Sequence, residues 1–169
     1  MSLFSVLLFT HVLGAIIAFG PTFSFPIIGR MGAAERDHGP FAARVSSALS
    51  RIQVLPLAIV QGITGTALII VGSIDLLNAP WLLVSILLYL IAIGYAIFVQ
   101  TPTVKRAIAL SAGGPPSGAP GGPSRGADGP RAGGPPPELI ALGSRIRRGS
   151  LLLIVLVVSI VFLMVTKPF

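Results

Sequence analysis

The sequence contains no cysteine, so disulfides, thiolate metal sites and cysteine nucleophiles are all excluded. It is also poor in charge. Only 10 % of its 169 residues are Asp, Glu, Lys or Arg, against about a quarter in a water-soluble domain whose surface must be hydrated. Acids are scarcer still: 5 against 12 basic residues, a net charge of +7. No paired carboxylates and no HExxH or GxSxG pattern occur, which removes the usual hydrolytic chemistries. The two acids nearest each other, Glu35 and Asp37, lie among arginines, where solvated ion pairs are expected. An excess of basic residues can signal nucleic acid, but no folded basic module is present to carry that function, and no nucleic-acid partner is expected.

What the chain does have is apolar residues gathered into blocks. Four runs, at about 3–25, 52–72, 81–99 and 150–166, contain no Asp, Glu, Lys or Arg. Each approaches the ~20 residues that cross a hydrocarbon core. The first could pass for a secretory leader, but it has no positive n-region and no clear small-x-small cleavage site, so it reads as the first membrane helix. Gly20-Pro21 and Pro26 are expected to bend or end it, and Pro56 to bend the second. Asp37-His38-Gly39-Pro40 has the form of a helix start, an acid followed by a first-turn proline. The second helix can therefore begin near Pro40, the third continue past Pro102 to Lys105 and Arg106, and the fourth begin near Pro137-Glu138.

Basic residues give the direction. Eleven of the twelve, all but Lys167, fall between spans one and two or between spans three and four. The positive-inside rule assigns that side to the cytoplasm. The expected fold is all-α: an up-and-down integral membrane four-helix bundle, N-out and C-out, as a single transmembrane domain. Residues 111–137 hold 17 Gly or Pro in 27 positions. Such a stretch has little to bury against its ordering entropy and is read as a disordered cytoplasmic linker. Its glycines do not make a phosphate loop, since no Gly-Lys-Ser/Thr follows. The basic stems are expected to meet a lipid bilayer with anionic headgroups. Other membrane subunits, or further copies of the chain, are the expected protein partners.

Polar residues inside spans are costly and therefore informative. His11 is the one ionisable group well inside a span. At 100° per residue it shares a face with Gly14, Ala15, Ala18 and Thr22. Small residues on a face admit a close neighbour, so His11 should point into the bundle. Ala58, Gly62, Gly65 and Thr66 share a face of the second span, with Gln61 at its edge; Ser85, Tyr89, Ala92 and Ala96 share one of the third. Counting depth at about 1.5 Å per residue predicts a polar layer of His11, Gln61, Tyr89 and Ser159, with Thr64 beside it, in the outer half of the membrane. The layer has three readings. It can hold helices together by hydrogen bonds. It can bind a cofactor, with His11 ligating a haem or copper ion and Tyr89, Gln61 and Ser159 around it. It can also line a permeation or proton path, although no span supplies a fixed charge for one. Trp81 reads as an interfacial anchor and Tyr95 as a packing residue.

The stretch Leu7–Phe23, LLFTHVLGAIIAFGPTF, and the segment Pro56–Leu68 with its Thr64-Gly65 pair resemble a family of predicted bacterial integral membrane proteins of unknown function. That family is distantly similar to copper-resistance proteins of the CopD type and to the four-helix membrane protoporphyrinogen oxidase associated with haem b. The resemblance implies a multi-pass protein of the bacterial cytoplasmic (inner) membrane, and carries haem binding onto His11 alone. The functional expectation is an accessory or scaffold subunit of a membrane complex, with a haem b- or metal-binding redox protein as the alternative.

Overall fold

The computed structural model describes residues 2–35, 38–112 and 136–168. The linker expected at 111–137 therefore falls almost wholly outside the described residues, as do Arg36 and Asp37, the acid of the expected helix start. Every regular element described is helical: α1 (Leu3–Ala34), α2 (Gly39–Leu49), α3 (Leu55–Val71), α4 (Pro80–Tyr95), α5 (Thr101–Ala112) and α6 (Pro137–Thr166). Wide π turns at Ser50–Val54 and Ala96–Gln100 join α2 to α3 and α4 to α5 without a break. The result is four rods of 32, 33, 32 and 30 residues, each apolar enough to cross a membrane. α1 packs on α2–α3 and on α6, and α4–α5 packs on α6 and, through α5, on α2. The protein is an all-helical four-helix membrane bundle.

At about 1.5 Å per residue the rods are roughly 45–50 Å long, well beyond a ~30 Å hydrocarbon core. The surplus lies at the basic end, because the opposite end is closed by the short Gly72–Ala79 turn. There, Asp75 accepts from the Leu77 amide and the Asn78 side chain, and Lys167 lies 5.5 Å from the Trp81 ring centroid.

Prolines explain the shape of the rods. Pro40, Pro80 and Pro137 occupy first turns, where a missing N–H costs nothing. Helix α2 starts at Gly39, as Gly39-Pro40 indicated, with His38 at the cap making no side-chain capping bond. Pro56 and Pro102 each follow a π turn by two residues. In these turns Leu55 N–H reaches Ser50 O and Thr101 N–H reaches Ala96 O. The wider ring relieves the clash between a pyrrolidine and the carbonyl four residues before it. The first apolar run does not end at Pro21 or Pro26; α1 continues through both to Ala34. Pro21 deprives the Ile17 carbonyl of its helical donor, and the Gln53 side-chain amide replaces it at 2.9 Å.

Candidate functional site: a glutamine clasp in each helical hairpin

The Gly14–Thr22 face of α1 turns inward, with Ala18 and Thr22 buried. It meets the Ala58–Gly65 face of α3. Gln61, placed at the edge of that face by helical counting, is buried between the two helices and only 5 % exposed. Its Nε2 donates to the His11 carbonyl oxygen at 2.8 Å. Its Oε1 is buried without a hydrogen-bond partner and lies against the Gly14 α-carbon, where an added Cβ would stand 2.6 Å from it. A Cα–H···O contact is the one interaction that geometry offers the oxygen, and it requires glycine.

Thr64, one turn above Gln61's amide, holds the His11 ring. Its hydroxyl lies 3.0 Å from the Val60 carbonyl and 2.8 Å from His11 Nδ1. With the hydroxyl proton directed at Val60, the oxygen is free to accept from Nδ1–H, the tautomer that leaves the imidazole lone pair at Nε2. The ring edge rests on Gly65, where a Cβ would approach Cε1 to 3.3 Å. Nε2 makes no hydrogen bond with a described residue, and His11 as a whole is half-buried.

The structure thus joins His11, Gln61 and Thr64. Tyr89 lies one turn further in, its hydroxyl donating to Ala58 O at 2.8 Å and resting on Gly62. Ser159 is half-buried on α6 and bonds to none of these three. Ser85 is fully buried and returns its hydroxyl to Trp81 O, while Thr66 is exposed rather than packed on the bundle face.

A second clasp, not anticipated from sequence, repeats the first in the other hairpin. Gln100 Nε2 donates to the Ile146 carbonyl at 3.1 Å and to Ser150 Oγ at 3.2 Å. Its Oε1 presses on the α-carbon of Gly149, beside the Tyr95 hydroxyl. In both clasps a glutamine amide spans a carbonyl at position i and a glycine at i+3 of the neighbouring helix. A glutamine at a span and a glycine three residues past an opposing position was the available signal, but pairing them requires knowing which helices touch.

A partly open cavity of about 50 Å³ lies between α1, α3, α4 and α6, with Thr22, Ala58, Tyr89 and Val157 on its wall. A haem needs a slot on the scale of the several hundred Å³ of ordinary ligand pockets. His11 is not on the wall of this cavity, so this cavity does not offer a haem site built on His11. Among the described residues no three His, Asp or Glu side chains are grouped to hold a metal ion.

No curated protein and no solved structure matches the chain. A family described as "Predicted integral membrane protein (DUF2269)" matches residues 5–113, which span α1 to α5 and hold the His11–Gln61–Thr64 group, Tyr89 and Gln100. No likeness to copper-resistance proteins or to the oxidase accompanies that match. With well over half of its length matched, the chain belongs to this uncharacterised family of integral membrane proteins.

Proposed function

We propose that the protein is a structural, accessory subunit of a complex in the bacterial cytoplasmic membrane. One observation carries this reading: three glutamines and a tyrosine within the spans are used to join neighbouring helices. Gln53, Gln61, Tyr89 and Gln100 each donate to a backbone carbonyl of a neighbouring rod, and His11 is tied to Thr64. Each such bond is worth about 0.6–1.7 kcal/mol in a membrane bundle. Such an arrangement supports a fixed, preformed bundle rather than a reacting centre. The Nε2 lone pair of His11 is the feature that favours the second reading, a haem or metal ligand completed from outside the chain.

The experiment is an absorbance spectrum of the full chain purified from its native membrane in mild detergent, oxidised and dithionite-reduced, beside His11→Gln, with native mass measurement of both. A featureless visible spectrum and a stoichiometric complex with another membrane protein, retained in His11→Gln, is the expected result. A Soret band lost in His11→Gln overturns the accessory reading in favour of redox function, and a lone monomer from native membranes overturns it as well.

A further inference from the structure

The cations at the basic end do not all lie at one depth. Lys167 beside Trp81 sets the far ends of α6 and α4 level, and the Gln100–Ile146 bond sets their basic halves level, each about 20 residues further in. Counted from those far ends at about 1.5 Å per residue, Lys105 and Arg106 lie roughly 37–39 Å in, and Arg30 on α1 roughly 40 Å in. Arg145, Arg147 and Arg148 on α6, and Arg51 on the second rod, lie only about 27–32 Å in, at the edge of a ~30 Å hydrocarbon core. The cause on α6 is a short apolar run, Leu151–Val165, of about 22 Å. A short span draws the bilayer surface and flanking cations towards each other.

The same three arginines fan over the side of α6 turned away from the bundle. At roughly 100° per residue, Gly143, Arg147, Ser144, Arg148 and Arg145 follow one another round one continuous outward arc, opposite the buried Gly149 and Ser150. All three arginines are exposed. Gly143 leaves open space, with nothing within 4 Å of the position its Cβ would take. Neither inner-side acid of the described residues is available to them: Glu138 is paired with Arg106 and Glu35 with His38.

We infer that this collar on α6 is a binding site for the phosphodiester of an anionic glycerophospholipid of the inner leaflet. Arg147 and Arg148 take the phosphate oxygens, Arg145 supports the same charge from the flank, and Ser144 and the space at Gly143 admit the headgroup. Guanidinium groups suit this ligand because their donors match phosphate oxygens in pairs. The collar lies outside the family-matched residues 5–113.

The test is a native mass-spectrometric titration of the full detergent-solubilised chain with dioleoyl-phosphatidylglycerol, against dioleoyl-phosphatidylcholine, with a third arm in inorganic phosphate. Phosphatidylglycerol should bind at least tenfold more tightly than phosphatidylcholine. Each of Arg147→Gln and Arg148→Gln should weaken it about fivefold, the equivalent of about 1 kcal/mol per interfacial cation, and the triple variant R145Q/R147Q/R148Q should bind both lipids alike. The double variant R30Q/K105Q, with cations removed at greater depth, should keep the preference. Equal binding of both lipids by the unaltered chain overturns the site. Equal loss in R30Q/K105Q reduces it to diffuse surface charge, and displacement by millimolar inorganic phosphate shows a soluble anion as the ligand; either overturns the proposal. If the triple variant does not fold, the single variants decide.

Discussion

Gly14→Ala should destabilise the bundle by about 1–3 kcal/mol, the range for overpacking a well-filled interior. A Cβ there meets Gln61 Oε1 at 2.6 Å and Cδ at 3.5 Å, whereas ordinary contact needs about 3.4 Å or more. The amide would have to retreat by most of an ångström. It has nowhere to go, being only 5 % exposed and tied through Nε2 to the His11 carbonyl at 2.8 Å. Either the clash persists or that hydrogen bond is lost, at about 0.6–1.7 kcal/mol. The assay is reversible unfolding in mixed micelles by titration with SDS, run as a double-mutant cycle with Gln61→Ala. Gly14→Ala should cost less than about 0.5 kcal/mol in the Gln61→Ala background, because the obstructing atom has gone. Gly20→Ala is the control: no atom lies within 4 Å of its Cβ position, and the change should be neutral or stabilising by up to about 1 kcal/mol from helix propensity. A neutral Gly14→Ala, or one equally costly without Gln61, would refute the clasp.

Gln53→Ala should cost about 1–2 kcal/mol by leaving the Ile17 carbonyl without a donor, and the cost should vanish in a Pro21→Ala background, where the backbone N–H returns; the same unfolding assay reads both. Tyr89→Phe removes the bond to Ala58 O and should cost about 0.6–1.7 kcal/mol, while Gly62→Ala should be costly only while the Tyr89 hydroxyl is present, since its Cβ would stand 2.8 Å from that oxygen. Glu138→Gln breaks an exposed pair with Arg106 and should change stability by less than about 1 kcal/mol, an effect removed by added salt.

Much of the fold was legible because a membrane imposes its constraints along the chain. Hydrocarbon cannot satisfy backbone polar groups, so a long uncharged apolar run must be helical, and four such runs with short or basic connections leave little choice of architecture. Small-residue faces were equally legible: Ala18, Thr22 and Ala58 are buried where helical counting placed them. Depth counting put His11, Gln61, Tyr89 and Ser159, with Thr64, in one layer; His11, Gln61 and Thr64 bond to one another, while Tyr89 bonds one turn further in. What sequence could not supply is which polar group faces which helix. Gln61 moved from the edge of its face to the core, Ser159 stands apart from the group, and α1 runs on through two prolines because a glutamine from another rod completes its hydrogen bonding. Gln100 and Gly149 lie 49 positions apart, and their clasp exists only once α4–α5 and α6 are set side by side. Composition and hydropathy act residue by residue and fix the spans; hydrogen bonds across helices depend on register and rotation to a fraction of a turn, and those are set by the packing of the whole bundle.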